Sequence, residues 1–239
     1  MKYSDYNIDI ILQRFPIGKY LKKGNTMKNI AIFISGKGSN LKYLINNLSK
    51  EIKILLVFSN KEDADGLKYG IEKGIKTIAI DTKKFSSPSS MAGELKRLLG
   101  NSIDLIVLAG YMEKIPSELV EKYNIVNLHP SLLPKHKGLK AIERSFNDQT
   151  NSMGITYHLI DNEIDSGEII LQLSFLKQKS LKENEILIKR IEHKSYFILI
   201  EYLLGVISLI EFNEKIVELV NAFKDFHLKA SFNQPKSIE

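Results

Sequence analysis

Short continuous runs of Ile, Val and Leu recur along this chain, each separated from the next by a helix-forming segment. This alternation constrains the fold more than any other feature. The runs are Ile30 to Ser35, Ile52 to Phe58, Ile75 to Ile80, Ile103 to Leu108 and Ile125 to Leu128. Between them, Leu41, Leu44, Ile45 and Leu48 recur at helical spacing. Ala64 to Lys73 reads as a helix that stops at Gly74, Ser90 to Leu99 as another, and Pro116 to Tyr123 as a short one with proline in its first turn. A strand that is apolar at successive positions is buried on both faces. That condition arises in a parallel sheet covered by helices on each side. The expected class is therefore α/β, and ligands on such sheets bind beyond the carboxyl ends of the strands.

After about residue 150 the rhythm changes. Ile155 to Ile160 alternates and Glu168 to Phe175 reads as a further strand, a pair suited to an antiparallel edge. Glu183 to Leu204 is a long amphipathic helix with Ile186, Leu187, Ile191, Phe197, Ile198 and Leu203 as core candidates. The final residues read as a helix followed by a polar end, Asn233 to Glu239. Residues 1–26 stand apart: they lack an apolar period and end in Lys22-Lys23-Gly24-Asn25-Thr26, with a second methionine, Met27, directly after. Their apolar stretch, Ile8 to Leu12, is shorter than the ~7–15 residues of a secretory core and holds Asp9. The expected division is an extension or start-site artefact over 1–26, a main domain over 27–210, and a carboxyl-terminal helix and tail over 211–239.

Bulk composition narrows the function classes. Hydrophobic residues make up 44% and charged residues 26% of 239, an ordinary globular balance. No apolar run approaches the roughly 20 residues of a membrane span, so no membrane partner is expected. Cysteine is absent, which removes disulfides, thiolate metal sites and Cys nucleophiles, and fits a cytoplasmic location. The net charge is 34 − 28 = +6. A basic balance suits phosphates and also nucleic acid. The charges, however, are scattered Lys and Glu with no basic stripe interleaved with aromatics, which argues against a nucleic-acid partner.

Two segments carry chemistry. Ile34-Ser35-Gly36-Lys37-Gly38-Ser39-Asn40-Leu41 follows the first strand and opens a helix. Its glycines allow a tight turn, and the helix amino terminus offers free N–H groups and partial positive charge. Gly38, Ser39 and Asn40 are thus candidates to hold a phosphate. The segment lacks both the third glycine of a dinucleotide loop and the Gly-Lys-Ser/Thr ending of a triphosphate loop, so a phosphomonoester fits better.

The second segment is Val126-Asn127-Leu128-His129-Pro130-Ser131-Leu132-Leu133-Pro134. Asn127 and His129, two apart at a strand end, point to the same side. An amide donor beside an imidazole suits acyl transfer: one stabilises a developing oxyanion, the other handles charge or a proton. A carboxylate is then needed. The run Asp161-Asn162-Glu163-Ile164-Asp165-Ser166-Gly167-Glu168 offers several, and the residues by themselves do not choose among Asp161, Glu163 and Asp165.

Together with Phe58 to Leu67, Leu108-Ala109-Gly110-Tyr111-Met112, Ile164 to Glu168 and Arg190 to His193, these segments resemble the glycinamide ribonucleotide formyltransferase family. The resemblance covers Met27 to about Leu204. It implies a Rossmann-like formyltransferase fold, a mostly parallel twisted sheet with helices on both faces and an antiparallel edge. It also implies direct transfer of a formyl group from 10-formyltetrahydrofolate, the co-substrate, to the amine of glycinamide ribonucleotide, in purine biosynthesis and without a metal. By the same resemblance Asn127, His129 and Asp165 are catalytic, Gly38, Ser39 and Asn40 bind the substrate phosphate, and Glu192 grips the ribose. Tyr111, Met112, Glu113, Lys114 and Ile115 then join Asp161, Asn162, Glu163 and Ile164 around the folate, with His158 a possible support. The expected assembly is a monomer or homodimer.

The chain departs from the family pattern at three places. Glu113-Lys114-Ile115 stands where Arg-Ile-Leu is usual, Lys140 where a histidine is common, and Pro88 where an arginine follows Phe-x-Ser. Other readings are a sugar-nucleotide or other formyl-folate transferase, an inactive relative, and a basic binding module.

Overall fold

The structure, a computed structural model, describes residues 27–232. The expected extension over 1–26 and the polar end over 233–239 lie outside the described residues. Eight strands form one sheet in the order β3-β2-β1-β4-β5-β6-β7-β8. The first five are β1 (Lys28–Ile34), β2 (Ile52–Ser59), β3 (Thr77–Ala79), β4 (Leu105–Leu108) and β5 (Ile125–His129). All their pairings are parallel. Then β6 (Ser152–Leu159), β7 (Ile169–Leu176) and β8 (Lys229–Ser231) add antiparallel. The α/β sheet with an antiparallel edge is the expected architecture.

Side chains of β1 divide by parity between two cores, as a pleated strand requires. Ile30, Ile32 and Ile34 pack with α1 (Ser39–Asn47), α6 (Leu181–Leu203) and α7 (Leu209–Ala222). Ala31 and Phe33 pack on the opposite face with α3 (Pro88–Leu99) and α4 (Ser117–Val120). The short helices α2 (Leu67–Glu72) and α5 (Ala141–Asn147) complete the set. In α6, a capping box of Ser180 and Glu183 starts the helix. Its Ile188, Ile191, Leu199 and Ile200 are fully buried, each contributing about 1.5–3 kcal/mol of burial. Ile186, expected in the core, is instead 50% exposed. It sits next to the buried stripe through Leu187 and Ile191 but on the solvent side of the helix.

The strand order reverses between β1 and β4, which both border the same crevice at their carboxyl ends. Tyr196 of α6 closes the floor there: its hydroxyl donates to the carbonyls of Leu108 (2.9 Å) and Val126 (3.4 Å). Glu192 lies one turn earlier on the same helix. Two elements were not anticipated. α5 follows the Pro-rich segment after β5, and β8 pairs with β7 at the sheet edge. Helix α7 begins at Leu209 and buries Phe212 and Ile216 in the larger core.

Candidate active site

The glycine-rich turn after β1 is shaped by a contact with the chain beyond β2. Gly38 is left-handed (φ 67°) and caps α1 without a side-chain bond. A Cβ on Gly38 would stand 2.6 Å from the Cα of Gly66, and one on Gly66 would stand 2.8 Å from the Cα of Gly38. Gly66 N–H donates to the Gly36 carbonyl at 2.9 Å. Two backbones thus meet with no side chain between them, and the first N–H groups of α1 remain aimed at the crevice. Behind the turn, Ser35 Oγ accepts from Met112 N–H (2.8 Å) and donates to Asn60 Oδ1 (2.6 Å). This ties the loop after β1 to the loop after β4.

The side chain of Asn40 is committed to α6: its Nδ2 donates to Glu192 Oε2 at 2.9 Å. Burial pushes the Glu192 carboxyl above its ordinary pKa, while Asn40 and Lys189 act against that rise. The carbonyl oxygen of Asn40, Oδ1, is buried with no partner among the described residues. Lys189 Nζ donates to Ser39 Oγ at 3.4 Å. The expected phosphate and ribose residues therefore share one corner of the crevice.

At the end of β5, Asn127 pairs in register with His158 of β6. Asn127 Nδ2 lies 3.1 Å from His158 Nε2, and His158 Nδ1 lies 2.8 Å from the Leu159 carbonyl. A neutral ring protonated at Nδ1 satisfies both contacts, so Nε2 accepts from the amide. Burial lowers the pKa of His158, whose side chain has no exposure, and favours that neutral ring. The Asn127 amide is thereby oriented at the cleft wall, with one N–H bonded to His158 and the other without a partner among the described residues.

His129 has an acceptor at each ring nitrogen. Nε2 lies 2.9 Å from the His136 carbonyl, and Nδ1 lies 3.2 Å from Asp165 Oδ2. Burial lowers its pKa; the His136 carbonyl and Asp165 act in the opposite sense. A neutral ring beside an ionised carboxylate would leave one acceptor facing a lone pair. Both contacts are met by a ring that carries a proton on each nitrogen, so the geometry favours the imidazolium while burial opposes it. Asp165 also accepts from Gly138 N–H (2.7 Å), and its Oδ1 is 3.6 Å from His158 Nε2.

Local bonding distinguishes Asp165 from the other acids of its loop. Asp161 Oδ1 is used within the loop by Glu163 N–H (3.0 Å) and Ser166 Oγ (2.7 Å). Glu163 is exposed. Asp165 adopts φ 50°, left-handed and uncommon outside glycine, and turns its carboxylate toward His129. The loop closes at Gly167, where a Cβ would meet the Leu159 carbonyl oxygen at 1.8 Å.

These groups border one cleft of about 680 Å³, which reaches from Gly36 and Asn40 past His129 to Asp165 and Glu192. Tyr111, Met112, Glu113, Lys114, Ile115, Asp161, Glu163 and Ile164 line it as well. Asn162 is outside that lining, and His158 sits behind it. The Tyr111 ring packs on Phe33 with centroids 5.5 Å apart, its hydroxyl is buried without a partner among the described residues, and burial raises its pKa. Met112, Leu139 and Ile164 form an apolar lip, 69%, 75% and 63% exposed. Glu113 accepts from Thr82 (3.4 Å) and Asn60 (3.5 Å). Pro88 opens α3 behind the Ser87 cap, outside the cleft lining, and Lys140 is a left-handed residue at the start of α5. Gly66 and Leu139 were missed by the sequence reading. The Asp-Gly pair before a helix signals a turn but not its partner, and an isolated leucine carries no period.

Among the described residues, no group of three or more His, Asp or Glu is arranged to hold a metal ion, and no helix is long and apolar enough to cross a membrane. The chain is 36% identical over 184 residues to the phosphoribosylglycinamide formyltransferase of Haemophilus influenzae, covering 74% of this chain and 87% of that protein. It is 38% identical over 149 residues to the trifunctional purine biosynthetic protein adenosine-3 of Gallus gallus, covering 60% of this chain and 15% of that much longer protein. Its fold matches the crystal structure of phosphoribosylglycinamide formyltransferase from Campylobacter jejuni with a TM-score of 0.70 and 32% identity, covering 74% of this chain and 98% of that one. Residues 28–203 match the family model for formyl transferases, and on that extent of match the chain belongs to the formyl transferase family.

Proposed function

We propose that this protein transfers the formyl group of 10-formyltetrahydrofolate to the amino group of 5'-phosphoribosylglycinamide, a step of purine biosynthesis, in the cytoplasm and as a monomer or homodimer. The observation that carries this reading is the convergence of Asn127, His129 and Asp165 on one wall of a cleft whose other end is a helix amino terminus. Residues 27–210 form the catalytic unit, with α7 and β8 extending its core and sheet.

The ribonucleotide phosphate is held by the N–H groups of Gly38, Ser39 and Asn40. Its ribose meets Glu192 beside the unpartnered Asn40 oxygen, which is an acceptor waiting for a substrate donor. The folate lies against Met112, Leu139 and Ile164, with the backbone of 111–115 and 161–164 available to its polar edge. The substrate amine attacks the formyl carbon, and negative charge develops on the formyl oxygen in a tetrahedral adduct. The free N–H of Asn127 donates to that oxygen. Both nitrogens of His129 already face acceptors, so it contributes chiefly as a positive charge. Burial makes that charge unfavourable in the resting cleft and more favourable when the oxyanion forms nearby. Asp165 supports the imidazolium and accepts the amine proton through water; the adduct then collapses by breaking the bond between the formyl carbon and the folate nitrogen, and that proton passes to the nitrogen as tetrahydrofolate leaves. The test is incubation with both substrates, with formylated ribonucleotide and tetrahydrofolate appearing in equal amounts. No product at high enzyme concentration, or a preference for an amino-sugar nucleotide, overturns the reading.

A further inference from the structure

The segment that contacts both His129 and Asp165 is held from outside the cleft. The His136 carbonyl meets His129 Nε2 and the Gly138 N–H meets Asp165 Oδ2, at 2.9 and 2.7 Å. Residues 136–138 therefore fix the distance between the two groups. Local preference does not hold them there. His136 and Lys140 have φ of 58° and 57°, left-handed conformations that in non-glycine residues persist only where the surroundings impose them.

The surroundings that impose them lie on α5. Arg144 Nη2 donates to the His136 carbonyl at 2.9 Å and also to the Lys137 carbonyl. The His136 ring lies 3.0 Å from Asp148, just past the helix end. Arg144 is exposed and lies outside the cleft lining. It therefore acts on the carbonyl that His129 uses without reaching the cleft. One guanidinium nitrogen, Nη2, bridges the two successive carbonyls, held in a planar group whose N–H directions are fixed.

We propose that Arg144 is a positioning residue, whose guanidinium fixes the 136–138 segment so that the His136 carbonyl holds the His129 ring against Asp165. This rests on the catalytic roles proposed above for His129 and Asp165. When Arg144 is removed, the left-handed residues relax, the carbonyl leaves Nε2, and the ring is no longer set. The phosphate-binding corner at α1 is untouched, whereas Leu139 of the apolar lip lies between the residues that relax.

The test compares Arg144→Met, Arg144→Lys and His129→Asn in the full chain. Steady-state kinetics are paired with nitrogen NMR of the histidine rings. Arg144→Met is expected to lower kcat about ten- to a hundred-fold, to leave KM for the ribonucleotide within about two-fold, and to shift the His129 Nε2 resonance. Arg144→Lys is expected to recover part of both effects. Unchanged kcat in an Arg144→Met enzyme overturns the proposal, and so does a fall in kcat with an unmoved Nε2 resonance. Full turnover in His129→Asn marks failure of the catalytic reading instead, and the Nε2 resonance then decides by itself whether Arg144 sets the ring.

Discussion

The close approach of Gly38 and Gly66 makes Gly66→Ala a sharp probe of the phosphate-binding corner. Gly66 has φ −66° and ψ −22°, values any residue adopts, so the substitution adds no backbone strain. What it adds is one methyl group, 2.8 Å from the Gly38 Cα, 2.9 Å from the Gly36 carbonyl oxygen and 2.7 Å from Ile34 Cδ1. Ordinary contact begins near 3.4 Å, so the turn must retreat by 3.4 − 2.8 = 0.6 Å or more. The Ile34 side chain can rotate away, but two backbone segments cannot. A displacement of that size breaks one hydrogen bond from the α1 terminus to a phosphate oxygen. Such a charged bond contributes about 1.5–3 kcal/mol, or roughly 10- to 150-fold in affinity. Steady-state kinetics should therefore show KM for the ribonucleotide raised by that factor, with KM for the folate within about two-fold and a cooperative melting transition retained. A ribonucleotide KM within two-fold of wild type in folded protein would refute the role given to this turn. Equal rises in both KM values would refute it as well.

Two further predictions concern the reacting centre. Asn127→Ala removes the free oxyanion donor and should raise the barrier by about 2–4 kcal/mol, or roughly 30- to 1000-fold in kcat; an effect confined to KM would contradict that role. Burial lowers the pKa of His158, so the unfolded chain binds the extra proton in the window below the ordinary histidine value of about 6.5. The stability this histidine contributes is then present above about pH 6.5 and lost as pH falls toward the folded pKa, with a slope of at most about 1.4 kcal/mol per pH unit. Urea midpoints measured from about pH 7.5 to about pH 5 should fall less steeply in His158→Gln than in wild type, and equal slopes would count against the buried neutral ring.

The parallel half of the fold was legible because its strands are apolar at successive positions, a signal that needs no tertiary information. Elements without such a signal were missed. The seven residues Ala141–Asn147 of α5 follow a left-handed Lys140 with no capping side chain. The three of β8, Lys229–Ser231, are a strand only because β7 offers them an edge. At the site, the spacing of Asn127 and His129 suggested a pair at one strand end, but their partners come from far along the chain. The register that opposes Asn127 to His158 is one such case. The choice among three loop acids is another. It depends on Asp161 being used by its own loop and on a left-handed φ at Asp165, and neither is written in a local pattern. Gly66 meets the backbone of a distant segment, and Arg144 binds carbonyls eight and seven residues back; in both cases the partner is a backbone atom, which side-chain chemistry does not signal.

The central claim is that Asp165 takes up the proton of the transfer beside a positively charged His129, and Asp165→Asn tests it most directly. Asparagine tolerates the left-handed φ of 50° at this position, and its amide still accepts from Gly138. The change therefore removes the carboxylate and little else. Single-turnover mixing of the variant with the ribonucleotide and 10-formyltetrahydrofolate should show both substrates bound and formyl transfer slowed by orders of magnitude. Transfer at a near-wild-type rate would contradict the account.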